Sequence, residues 1–156
     1  MVEEVEDASG LQLETSPASG LRRVRAAFRP SRDPRLRQES LFSGDTGLTE
    51  QFRETGEMYG PFDLVMLEIG AFHPGFEAIH LGPENALEVF QMLGGGTLLP
   101  VHWGTFDLAL HAWDEPAETL VRLASERSMR VVTPSLGQVI EPSQLDAPTP
   151  WWRDIE

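Results

Sequence analysis

Four histidines and one glycine-flanked aspartate are the residues of this chain with the makings of metal chemistry. Asp45 lies in Ser43-Gly44-Asp45-Thr46-Gly47, and His102 in Val101-His102-Trp103-Gly104-Thr105-Phe106. His73, His80 and His111 complete the set. Neutral imidazole and carboxylate hold zinc-like ions at about 2.0–2.2 Å. Two-metal hydrolytic sites set their ions about 3.5–4 Å apart, a gap that a carboxylate can bridge with its two oxygens and an imidazole cannot. Plainer readings exist for both residues. Gly-Asp-Thr-Gly makes an ordinary turn, because glycine supplies positive φ and aspartate bonds its own backbone. A single histidine after a strand is often a hydrogen-bonded structural residue. On residue types alone both readings stay open. The chain has no cysteine, so thiolate ligands, thiolate nucleophiles and disulfides are excluded.

The elements that must position these residues follow from hydrophobic period. Leu41 and Phe42 lead into the aspartate turn as the end of a buried strand would. Residues 11–15 alternate as a half-buried strand does, and residues 63–69 read as a strand buried on both faces. Gly82-Pro83 opens a helix whose Ala86, Val89, Phe90 and Leu93 form one apolar stripe, closed by Gly94. Residues 97–101 form a short apolar strand, and Pro100 suggests an edge or a strand end. Asp114-Glu115-Pro116 opens a second helix with Ala117, Leu120, Val121 and Ala124 on its stripe. Residues 131–133 and 138–140 read as further short strands. This alternation predicts an α/β fold, a sheet with helices packed on it. In such sheets chemistry collects on the loops after strand ends. Asp45 follows one strand, His73 and His80 the next, and His102 the third.

Composition narrows the partners. The 156 residues carry a formal charge of -13, which argues against a nucleic-acid partner. Every basic residue is arginine, and seven of the twelve lie between Arg22 and Arg37, a run with two prolines and no clean period. A basic run of this kind could hold phosphates or lipid headgroups. Its charge density and lack of period predict a solvated segment in which no element can be drawn. No stretch approaches the roughly 18 apolar residues of a membrane span, and the acidic N-terminus has no signal-like apolar region. A cytoplasmic protein is the expectation.

The ordered set SGDTG, YGPFDLVMLEIGAFHP, HLGPENALEVFQMLGGGTLLPVHWGTF and DEPAETL resembles the C-terminal half of a metallo-β-lactamase-fold hydrolase. The similarity is strongest to N-acyl-phosphatidylethanolamine phospholipase D-like proteins, with ascorbate-6-phosphate lactonase-like enzymes as relatives. It covers roughly residues 40–141, and the closing Pro150-Trp151-Trp152-Arg153 also resembles the family. The resemblance implies half of an αββα sandwich, its sheet covered by helices on one face. It makes Asp45 the metal-bridging aspartate and His102 a metal-binding histidine. It sets His80 near the active site, touching a substrate phosphate or supporting the ligands. Trp103, Thr105 and Phe106 would wall the site, while His73 and His111 would serve the surface or packing.

The implied cofactor is zinc, two ions in complete members and at most a partial site here. The implied substrate is a small phosphorylated or lipid molecule. The family's His-x-His-x-Asp-His string is absent from the chain, and no histidine follows Thr15-Ser16-Pro17-Ala18. The expectation is therefore a truncated hydrolase with an incomplete site, in which no residue is assigned a catalytic role. Residues 1–39 would be an irregular or remnant segment, 40–141 the half domain and 142–156 a tail. An N-terminal half or self-association would supply the rest. The alternative is a non-catalytic remnant or interaction module.

Overall fold

The computed structural model describes residues 39–73, 79–106, 109–139 and 148–155 fully, and the backbone of three short strands before them. Six strands form one sheet in sequence order: β1 (Val5–Glu6), β2 (Gln12–Thr15), β3 (Arg22–Arg25), β4 (Ser40–Phe42), β5 (Leu64–Glu68) and β6 (Thr97–Val101). The first four pair antiparallel, and β4, β5 and β6 run parallel. Among the described residues three α-helices accompany them: α1 (Gln51–Tyr59) between β4 and β5, α2 (Gly82–Met92) between β5 and β6, and α3 (Glu115–Glu126) after β6. The α/β expectation therefore holds. The parallel strands are joined by helical crossovers, as parallel pairing requires.

Period 2 decides the faces of β5. Val65 and Leu67 are fully buried toward α2, together with Leu41 of β4 and Leu98 of β6. The alternate residues Phe42, Met66 and Leu99 stand in one register row across the three strands and are only half-buried. Pro100 lies in the ladder without harm. Leu98, two residues before it and facing the same way, bonds outward to the 130–132 segment rather than to β5, so the missing N–H falls on that outer side.

α2 carries the layer above the sheet, burying Ala86, Leu87, Val89 and Phe90. Each large apolar side chain so buried contributes about 1.5–3 kcal/mol relative to exposure. α3 adds Ala117, Leu120 and Ala124 to the same core, on the stripe read from the sequence. α1 has no such stripe. Its one buried side chain is Phe52, and it reaches α2 through Gly56, where any Cβ would meet the Met92 carbonyl oxygen. The chain's last described turn, a 3-10 helix at Trp151–Asp154, docks on α3. Trp152 Nε1 donates to Glu118 Oε1 at 2.8 Å, and Arg153 makes two bonds of 2.6 Å to the same carboxylate.

Three local expectations change. Arg22–Arg25, where no element was drawn, is a strand paired with both β2 and β4. Residues 131–133 shrink to a single parallel bridge between Leu98 and Val131. Gln138 and Val139 are not strand, and Ile140 lies outside the described residues.

Candidate metal centre

The centre forms where β4, β5 and β6 end together. β4 runs into the Gly44-Asp45-Thr46-Gly47 turn, where Gly44 has φ +63°, in the left-handed region glycine favours. This answers for the first glycine beside Asp45. The turn presents Asp45, whose side chain is 62% exposed, to the loop after β6. Asp45 Oδ1 lies 3.6 Å from His102 Nε2, although the two residues belong to loops far apart in sequence.

His102 is held in an unusual way. Its φ is +60°, a left-handed conformation that costs a residue with a Cβ about 1–2 kcal/mol. Neighbouring contacts enforce it. Gly70, just past β5, passes so close that a Cβ there would strike the His102 carbonyl oxygen. Trp103 anchors the other side, with its ring packed against Trp151 and Trp152 at centroid distances of 5.6 and 5.2 Å. The 3-10 turn clamped by Glu118 thus buttresses the histidine loop.

Glu68, the last residue of β5, joins the group and was missed in the sequence. It is fully buried, and no unpaired carboxylate tolerates that. Oε1 accepts from the backbone N–H of Thr46 at 3.0 Å and of Leu81 at 3.2 Å. Oε2 lies 2.6 Å from His80 Nδ1 and 3.6 Å from His102 Nδ1. Burial pushes the Glu68 carboxyl up from its ordinary range, and the bonds from His80, Thr46 and Leu81 pull against that shift. An acid set between Leu67 and Ile69 in the apolar run DLVMLEI was the available signal, because glutamate is almost never fully buried unless paired.

His80 stacks over His102 with ring centroids 5.3 Å apart. Glu68, His80 and His102 place a ligand atom each within 4.8 Å of one another. The structure thus brings together Asp45, His80 and His102. His111 is not in this group. It stacks on Phe72 at 4.7 Å and its Nδ1 donates to the Ala112 carbonyl. His73 is exposed and stands apart from the group. Beside His102 opens a cavity of about 230 Å³, walled by Trp103, Thr105, Phe106, His111 and Trp113.

The parallel strands β4, β5 and β6 thus end in loop-borne carboxylate and histidine. The model of the beta-lactamase superfamily domain matches residues 22–103, and the chain belongs to that family. The uncharacterized protein Rv0906 of Mycobacterium tuberculosis is 44% identical over 117 residues, 73% of this chain and 32% of the relative. N-acyl-phosphatidylethanolamine-hydrolyzing phospholipase D 1 of Caenorhabditis elegans is 33% identical over 110 residues, 65% of this chain and 31% of that protein. The chain therefore spans about a third of the length of these relatives. The metallo-beta-lactamase fold protein YhfI of Bacillus subtilis shares the fold, with TM-score 0.55 and 15% identity over 87% of this chain and 50% of that one.

Proposed function

We propose that Asp45 and His102 share a divalent metal ion, zinc by the chemistry of the donors, in a hydrolase centre that cleaves phosphodiester or lactone substrates. The observation that carries this reading is the 3.6 Å between Asp45 Oδ1 and His102 Nε2. Two ligands bound at about 2.1 Å to one tetrahedral ion stand about 3.4 Å apart, so little movement is needed. Imidazole and carboxylate are the donor types zinc takes. When bound, the metal supplies a water acidic enough to act as hydroxide near neutral pH and polarises the scissile group.

The chain's own residues do the rest. Asp45 brings negative charge, and its exposure leaves its second oxygen free for another ion. The Gly70 and Trp103 contacts fix His102. His80 stacks beside His102, and the cavity wall of Trp103, Phe106 and Trp113 receives the apolar part of a small phosphorylated or lipid substrate.

Asp45, His80 and His102 give one ion its ligands but cannot hold two. The resemblance assigns the others to a His-x-His-x-Asp-His segment, which we place in a partner N-terminal half or another polypeptide. The half-buried row Phe42, Met66 and Leu99, on the sheet face away from the α2 core, suits the docking of a second layer. Among the described residues no helix is long and apolar enough to cross a membrane, and we place the reaction in the cytoplasm.

A second reading, a folded module with no completed site, is favoured by the absence of the His-x-His-x-Asp-His string. Zinc titration separates them. Weak binding lost in both Asp45→Ala and His102→Ala supports the metal centre. Binding that ignores both substitutions overturns it.

A further inference from the structure

The pattern of donors around Glu68 determines more than its own burial. We infer that Glu68 is a positioning residue that locks His80 in the Nδ1–H tautomer and leaves Nε2 as a bare lone pair beside His102. The inference deepens the metal-centre reading but rests on hydrogen bonds that exist without any ion.

The logic is one of donors and acceptors. Thr46 N–H and Leu81 N–H can only donate, so Oε1 of Glu68 must accept from both. Those two bonds pin the carboxylate plane and turn Oε2 toward His80. An ionised carboxylate only accepts, so His80 Nδ1, 2.6 Å away, must carry the proton. In the neutral ring Nε2 is then the acceptor, and no other described group is bonded to it. A histidine that ligates a metal usually donates its other ring N–H to a carboxylate in this way. A histidine meant to donate to a phosphate oxygen would need the opposite tautomer or a second proton.

His80 therefore acts by accepting. It offers Nε2 to the metal ion or to a proton-bearing substrate or water atom, which suits the ligand-supporting alternative of the two that the resemblance implies. Glu68 meanwhile ties three loops together: the Asp45 turn through Thr46, the α2 entry through Leu81, and its own strand end. It reaches the chemistry through His80, not by touching substrate.

Glutamine at this position makes a sharp test, because it is nearly isosteric. The two backbone N–H groups hold the amide oxygen where Oε1 now sits. The amide NH₂ must then face His80 Nδ1 and donate to it. His80 is forced to the Nε2–H tautomer, with no lone pair left at Nε2. The experiment is long-range ¹H–¹⁵N correlation of the histidine rings at pH about 8.5, above the ordinary histidine range. His80 is assigned by its loss in His80→Gln.

The wild-type chain should show a protonated Nδ1 and a bare Nε2, and Glu68→Gln should exchange them. In the same pair, zinc affinity should fall by about 10–100-fold, the usual effect of losing such a carboxylate. A wild-type His80 with Nε2 protonated, with both nitrogens protonated, or averaging between tautomers overturns the inference. So does an unchanged tautomer in a folded Glu68→Gln chain. If the variant fails to fold, the wild-type spectrum decides alone. Failure of zinc binding with the tautomer as stated would refute the metal centre and leave the lock standing.

Discussion

Replacing Gly70 by alanine places one methyl group against backbone rather than against a side chain that can swing away. Its Cβ would meet the carbonyl carbon and oxygen of His102 and the Cα of Trp103. Neither β5 nor β6 can yield freely there, because Ile69 N–H bonds the Val101 carbonyl at 3.1 Å one residue earlier. The loop after β6 must therefore lift. Overpacking of this kind costs about 1–3 kcal/mol. In a chain of this size each kcal/mol lowers Tm by about 2–4 °C, so the expected fall is about 2–12 °C. The functional effect follows from distance. Asp45 and His102 now stand 3.6 Å apart, and a shift of about 1 Å takes them beyond a shared ion. Zinc affinity should fall at least about 10-fold. Calorimetric scans and zinc titrations of wild type and Gly70→Ala, with exposed Ser125→Ala as a control, check both effects. A Gly70→Ala chain matching wild type in Tm and zinc affinity would refute the argument that this contact sets His102.

Asp45→Ala should separate binding from stability: at 62% side-chain exposure it should change unfolding by no more than about 0.5 kcal/mol in urea while abolishing zinc binding. Leu87→Ala empties a fully buried site between sheet and α2 and should cost about 2–5 kcal/mol in the same urea assay. The Arg153 bonds hold the Glu118 carboxyl down, from 4.5 to about 2. A depressed carboxyl contributes stability that is present above its unfolded value and lost as pH falls through the folded one. Docking of the Trp151–Asp154 turn should therefore persist at pH 4.5 and loosen toward pH 2, read by tryptophan fluorescence, and Glu118→Gln should lack this acid transition.

The legible parts of this molecule were those with local signals. Proline at the helix starts and apolar residues at i, i+3, i+4 and i+7 marked α2 and α3. Strand ends followed by Gly-Asp and His-x-Gly marked Asp45 and His102. α1 escaped because only Phe52 is buried and Gly56, a poor helix former, sits mid-helix for the sake of a close approach. Glu68 escaped because its partners, Thr46, His80 and Leu81, lie in other loops, and nothing in DLVMLEI announces them. The Arg22–Arg25 strand escaped because four residues dense in charge carry no period, and pairing on both edges overrides propensity. The 138–140 run was apolar enough to suggest a strand, but its described residues have no ladder to join.

The central claim is that Asp45 and His102 belong to a hydrolytic metal centre whose remaining ligands come from elsewhere. The direct test mixes the purified chain with a separately expressed N-terminal segment of the Mycobacterium tuberculosis relative, in zinc, and follows hydrolysis of a chromogenic phosphodiester. Neither piece alone should turn over substrate beyond an Asp45→Ala control. The mixture should, and Asp45→Ala or His102→Ala should each abolish it. Turnover by the mixture that survives both substitutions would contradict the account.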